Sequence, residues 1–195
     1  SVKAYDVTHP EELIARAAGC EMVITNKTPF DEKTLDQLPD LKYIGGLATG
    51  YNVVDIEACR KRGIAVTNVP EYGTFATAQM TIALLLEIAD KVGLHSESVM
   101  SGEWVTAPQF SYFKSPLIEL ADKRMHIVGF GKIGRRVAAI ASALGMKVSA
   151  TPHNLVSAEE TVEGYTVKML TLEEGLAGVE EDLAEAEEGG IANLL

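Results

Sequence analysis

The strongest chemical signal in the sequence is Gly129-Phe130-Gly131-Lys132-Ile133-Gly134, three glycines within six residues. The apolar run Met125-His126-Ile127-Val128 precedes it, and Arg135 to Leu144 follows with alanine-rich helical patterning. A strand that feeds a glycine turn opening a helix is built to cradle phosphate. Gly129 permits the tight turn, Gly131 lets the backbone approach a pyrophosphate, and Gly134 lets helix and strand pack closely. The phosphates then rest on the first helical turn, at Lys132 and Ile133, where N–H groups and the helix dipole favour an anion. The pattern reads as a dinucleotide site, with a purely structural glycine turn as the plain alternative.

Such a site also asks for an acidic residue about 20 positions on, ending the second strand, to hold the ribose hydroxyls. The second strand reads as Met146 to Ala150, and that place holds Thr151, followed by Pro152, His153 and Asn154. A carboxylate that would repel a 2′-phosphate is missing, and so is an arginine that would bind one. The choice between NAD and NADP stays open, with relaxed specificity expected.

The elements around these residues alternate. Glu11 to Ala18 reads as helix, Glu21 to Thr25 as strand, Asp31 to Leu38 as helix, and Tyr43 to Leu47 as strand. Asp55 to Arg62 reads as helix with Gly63 as its stop, and Ile64 to Asn68 as strand. Alternation of this kind implies a parallel sheet. A long helix capped by Thr74 or Thr77 is expected from about Ala78 to Val99. Its surface is largely apolar, so it should be buried or lie in an interface. Residues 101 to 124 read as an irregular connection, and the acidic, alanine-rich stretch from Val179 to Glu188 as a solvated helix.

Composition sets limits. The chain has 195 residues, 47% hydrophobic and 23% charged, as in ordinary globular proteins. With 17 Lys and Arg against 28 Asp and Glu, the net charge is −11, which disfavours broad binding to nucleic acid or anionic membrane. Cys20 and Cys59 lack the spacing of a zinc site or disulfide framework and read as reduced thiols, so no metal site is expected. No stretch has the apolar length of a membrane span and no signal peptide is visible, so the cytoplasm is the expected location.

Several further segments occur in a telling order: Asn26-Lys27-Thr28-Pro29, Leu38-Pro39-Asp40-Leu41-Lys42-Tyr43-Ile44, Leu47-Ala48-Thr49-Gly50-Tyr51-Asn52-Val53-Val54-Asp55, and Gly63-Ile64-Ala65-Val66-Thr67-Asn68-Val69-Pro70. Gly102-Glu103-Trp104 and Ser115-Pro116-Leu117-Ile118-Glu119-Leu120 come before the glycine turn. In this ordered set, over about residues 3 to 150, the sequence resembles the D-isomer-specific 2-hydroxyacid dehydrogenases, nearest the glycerate dehydrogenase (hydroxypyruvate reductase) branch. The resemblance implies an α/β chain, with a partial flavodoxin-like parallel-sheet substrate domain at 1–71 and a partial Rossmann dinucleotide-binding domain at 72–195. It implies hydride transfer between NAD(P)H and a small 2-keto or 2-hydroxy acid, and a homodimer packed across the long helix. It also implies that Ala48, Thr49 and Gly50 offer backbone N–H groups to the substrate carboxylate. A glycine-containing turn after a parallel strand suits that role, although it also serves as an ordinary loop. Asn26 and Lys27 occupy the equivalent edge of the preceding strand, and Gln79 is expected near the cofactor.

The resemblance breaks after residue 150. Family chemistry needs a histidine supported by a glutamate, plus an arginine, from later in the dinucleotide domain, and these are not found. Val156 to Glu159 reads as the loop after the second strand, Tyr165 to Met169 as a third strand, and Leu172 to Leu176 as a following helix. In an alternative alignment Thr151-Pro152-His153-Asn154 matches the family's catalytic segment, which makes His153 the acid/base. His95 and His126 read as structural, and His9 as solvated near a helix start. Ser1 to Asp6 resembles the family's second strand, which implies a chain shortened at both ends. The competing expectation is a non-catalytic dinucleotide-binding fragment or engineered module.

Overall fold

The computed structural model describes residues 2–154 and 156–177. The chain divides into two compact units, Ser1–Gly73 and Thr74–Leu195.

In the first unit, helix α1 (Pro10–Ala17) opens with Pro10, whose fixed φ suits a first helical turn, and the Glu12 carboxylate accepts the N–H of His9 at 3.0 Å. Then come β1 (Met22–Thr25), α2 (Glu32–Asp36), β2 (Tyr43–Gly46), α3 (Ile56–Lys61) and β3 (Ala65–Thr67). Aspartates start both later helices: Asp31 accepts from Thr34 N–H at 2.8 Å, and Asp55 from Ala58 N–H at 2.9 Å. Gly63, at φ +69°, ends α3 in the left-handed conformation that a residue without Cβ adopts freely. The strands are parallel in the order β1-β2-β3. Thr25 lies opposite Gly46 and Gly45 opposite Thr67, so the carboxyl ends of all three share one edge. Phe30, Leu35, Ile44 and Cys59 are the most deeply buried side chains of this core. Residues 2–9 form no strand, contrary to the expectation for Ser1 to Asp6. The side chains from Val2 to Val7 are exposed, and without a buried face nothing holds a strand in register.

The second unit runs α4 (Thr74–Asp90), α5 (Val92–Met100), α6 (Glu103–Thr106), β4 (Arg124–Val128), α7 (Lys132–Ala143), β5 (Lys147–Thr151), β6 (Glu159–Val162) and β7 (Tyr165–Met169), with a further helical turn at 172–177. Its sheet order is β4-β5-β7-β6, with the first three parallel and β6 antiparallel to β7. Met125, Ile127, Val148, Ala150, Val167 and Met169 pack on one face against Val137, Ala138 and Ala141 of α7. The alternate positions put Arg124, His126, Ser149, Thr151, Thr166 and Lys168 on the other face. A cavity of about 750 Å³ lies over much of this polar face.

Two expectations for this unit are corrected. The single helix from Ala78 to Val99 begins instead at Thr74, so neither Thr74 nor Thr77 caps it. It breaks at Lys91, whose φ of 49° is left-handed. The segment starting at Val156, read as loop, runs into strand β6, which returns to β7 through Glu163 and Gly164. Both turn residues have positive φ, as a tight hairpin requires. The stretch Val179 to Glu188 lies outside the described residues.

Candidate functional site

The glycine turn sits at the carboxyl end of β4 and opens α7. Gly129 has φ +96°, a conformation that other residues adopt only under strain, and its N–H donates to the carbonyl of Thr151 at 2.9 Å. A Cβ at Gly134 would stand 2.3 Å from the Gly129 carbonyl oxygen. Helix and turn are therefore in backbone contact there. At Gly131 a Cβ would meet nothing within 4 Å, so the backbone faces open space. Gly131 is the N-cap of α7 and offers no side chain to its first N–H groups, which leaves that helix end to an anion. Lys132 and exposed Ile133 form the first turn, and Gly134 beneath them is buried. Phe130 is buried under the Arg135 guanidinium, 4.7 Å from the ring centroid. These residues fit a dinucleotide pyrophosphate by the space at 131 and the uncapped amides.

Thr151 pairs across the sheet with Val128, beside the turn. Its hydroxyl is committed elsewhere. It donates to the Leu170 carbonyl at 3.0 Å and lies 3.0 Å from His126 Nε2, while His126 Nδ1 lies 2.9 Å from Ser149 Oγ. A hydroxyl has one proton, so Thr151 must accept from Nε2–H, and Nδ1 must accept from Ser149. Burial pushes the ring's pKa below the usual histidine value, which favours the neutral ring and the one tautomer that these partners specify. Thr171 and Glu174 cap the 172–177 turn reciprocally, with Thr171 N–H to Glu174 at 2.9 Å and Glu174 N–H to Thr171 at 3.2 Å. That cap holds Gly175 over the His126 ring, where a Cβ would come within 2.2 Å.

In the first unit, the loop after β2 is pinned by its carbonyls. Val69 N–H donates to the Ala48 carbonyl at 3.1 Å, the Asn68 side-chain amide donates to the Thr49 carbonyl at 2.8 Å, and the Thr49 hydroxyl donates to the Val69 carbonyl at 3.1 Å. The N–H groups of Ala48, Thr49 and Gly50 find no acceptor among the described residues. Three consecutive amides without an acceptor among the described residues, at the carboxyl edge of a parallel sheet, are donors open to an anion. Asn26 and Lys27 follow β1 on the same edge and are exposed. Asn68 was not among the residues expected to act here; its position at the end of the third strand was the available signal.

The remaining candidates stand apart. Gln79 is exposed on α4 and His153 is exposed just after β5, each without a side-chain hydrogen bond to another described residue. His95 lies 2.9 Å from the Lys91 carbonyl through Nδ1 and accepts from Lys114 N–H through Nε2. No histidine ring pairs with a carboxylate among the described residues, and no cluster there could hold a metal ion.

A mostly parallel sheet whose first strand leads through a glycine turn into a helix packed on the turn belongs to the Rossmann-type α/β proteins. The family model for the D-isomer specific 2-hydroxyacid dehydrogenase, catalytic domain, matches residues 1–190, and the chain belongs to that family. It is 46% identical over 144 residues to a hydroxypyruvate reductase of Blautia hydrogenotrophica, covering 74% of this chain and 45% of that protein. It is 38% identical over 149 residues to a glycerate dehydrogenase of Methylorubrum extorquens, covering 76% and 48%. Among solved structures, D-lactate dehydrogenase from Aquifex aeolicus with NAD and lactic acid superposes with TM-score 0.66 at 25% identity, over 84% of this chain and 47% of that one. An acyclic imino acid reductase in complex with NADPH and D-Arg gives TM-score 0.66 at 27% identity, over 88% and 52%. The chain thus spans about half the length of the curated relatives it matches.

Proposed function

We propose that this chain serves hydride transfer between NADH or NADPH and a small 2-keto acid, hydroxypyruvate or glyoxylate, giving the 2-hydroxy acid. The reading rests first on the cradle between β4 and α7, where Gly134 meets the Gly129 carbonyl and position 131 faces open space. The relatives named hydroxypyruvate reductase and glycerate dehydrogenase support the substrate class. The nicotinamide supplies the hydride when bound. The amides of Gly131, Lys132, Ile133 and Gly134 hold its pyrophosphate, Thr151 borders its ribose, and exposed Gln79 on α4 is the further cofactor contact in this reading. With no carboxylate at the end of β5, both nicotinamides are accepted. Ala48, Thr49 and Gly50 hold the substrate carboxylate through their N–H groups, and Asn26 and Lys27 complete that edge, with the ammonium adding positive charge. Residues 1–71 thus form the substrate side and 72–195 the dinucleotide side of a cytoplasmic homodimer.

The candidate acid/base is His153. It lies two residues beyond β5, where ribose recognition is expected, and has no carboxylate partner among the described residues. That observation favours a second reading, dinucleotide binding without turnover. The two are separated by titrating the purified protein with NADH and NADPH and then following nicotinamide oxidation on addition of hydroxypyruvate or glyoxylate. Binding with turnover supports the dehydrogenase. Binding without turnover supports the second reading, and failure to bind either nicotinamide removes both.

A further inference from the structure

We infer that Asn68 is a positioning residue for the carboxylate site, holding the loop at 48–50 in the one conformation that presents its amides; this rests on the assignment of that loop to the substrate carboxylate. Peptide units in a short loop can turn either their N–H or their C=O toward an edge, and an anion is attracted only by the first. Here the orientation is enforced from behind. The Asn68 side chain donates to the Thr49 carbonyl at 2.8 Å, and the next residue, Val69, donates its N–H to the Ala48 carbonyl at 3.1 Å. With both carbonyls drawn toward the end of β3, the N–H groups of the same peptide units, at 49 and 50, point the opposite way, and like that of 48 they have no acceptor among the described residues. The Thr49 hydroxyl closes the clamp on the Val69 carbonyl at 3.1 Å.

The two donors differ in kind. Val69 gives a main-chain bond that any non-proline residue at 69 would give. Asn68 gives a side-chain bond that depends on residue type and reach, and aspartate would set an acceptor against the carbonyl. Asn68 is bordered on another side by a cavity of about 370 Å³ that also touches Tyr51 and Arg60, so loss of the amide leaves room for the loop to relax. Asn68 does not touch the substrate in this scheme. It acts through Thr49.

The test uses oxamate, an unreactive 2-keto acid analogue, titrated into the full isotopically labelled chain with the backbone amide resonances of residues 48–50 as readout. In the unaltered chain those amides should shift on titration. Asn68→Ala should weaken oxamate binding about tenfold, the scale of one lost hydrogen bond at a preorganised site, and nicotinamide affinity should be unchanged. Asn68→Ser serves as a second variant should the first fold poorly. Leu35→Ala, which opens the same unit's core away from the loop, is the control for a merely structural role: it should lower thermal stability and leave oxamate affinity intact. Unaltered affinity in the Asn68 variants, or an equal loss in Leu35→Ala, would overturn the role of Asn68. Amides at 48–50 that never respond in the unaltered chain would instead remove the carboxylate assignment, and the clamp with it.

Discussion

At the scale of single residues, Gly131 and Gly134 should separate binding from folding although they share one motif. A Cβ at 134 would press into the backbone oxygen of Gly129, an atom that cannot step aside. Gly134→Ala should therefore destabilise the second unit by about 1–3 kcal/mol, as overpacked sites do, seen as a lower denaturation midpoint. Gly131→Val adds its side chain to open space, so the midpoint should hold while nicotinamide affinity disappears. Retained affinity in Gly131→Val would mean that the phosphates do not lie on this turn. His126 makes a prediction about pH. Its folded pKa is depressed by burial, and Arg124, Lys147, Glu159, Lys168 and Glu174 are the charged groups that line the cavity over the same polar face. Between that lowered value and the ordinary histidine pKa of about 6.5, the unfolded chain binds a proton that the folded chain refuses. Stability from this source is complete above the ordinary value and is lost as pH falls below it toward the folded value. Urea midpoints for the unaltered chain and His126→Gln at pH about 7.5 and 5.5 should show a smaller drop in the variant. An equal drop would assign the acid sensitivity to other groups.

At the scale of elements, much of the chain was legible because local signals agreed with tertiary packing. Asp31 and Asp55 cap α2 and α3, Gly63 stops α3, and the strand-turn-helix at Gly129 has its expected order. Where the reading failed, a local conformation overrode periodicity. Nothing in the apolar pattern of α4 and α5 signals a left-handed Lys91, since lysine is not a helix breaker. Hairpin strand β6 begins with Glu159 and Glu160, charged residues suited to an edge but poor as strand signals. At the candidate sites, residue types were visible but hydroxyl and amide partners were not. Thr151 was found by its position, whereas its engagement with His126 depends on sheet register. Gly175 escaped notice because its reason is a ring from β4, far away in sequence. The break at Lys91 can be tested directly. The Glu87 carboxylate reaches back across it to Gly93 N–H at 3.0 Å, acting as a cap for α5. Glu87→Ala should raise hydrogen exchange in the first turn of α5 on the order of fivefold, the effect of one lost cap, and leave the centre of α4 unchanged. Uniform acceleration along both helices would show that they unfold as one body.

At the scale of the whole molecule, the question is what covers α4. Met80, Leu84 and Ile88 recur at four-residue spacing, and each is about 60% exposed, at 60%, 58% and 61%. Apolar side chains stacked on one helix face are a stripe that water disfavours. A second copy of the chain, as in the homodimer proposed above, is one occupant that would cover the stripe. In a two-fold pairing each of the three side chains is buried twice. At roughly 1.5–3 kcal/mol for burying a fully exposed side chain, and with about 60% of each left to bury, the six supply roughly 5–11 kcal/mol, against roughly 4–15 kcal/mol lost to association. The two ranges overlap, so such a dimer would be weak and could not tolerate a charge at its centre. Leu84→Glu should convert it to a monomer, read as a halved mass in light scattering, with helical content unchanged because position 84 is exposed within each chain. Leu94→Glu, on α5 and 40% exposed, should act more weakly. An unaltered chain that already has the monomer mass across the micromolar range would show that a second copy does not cover α4.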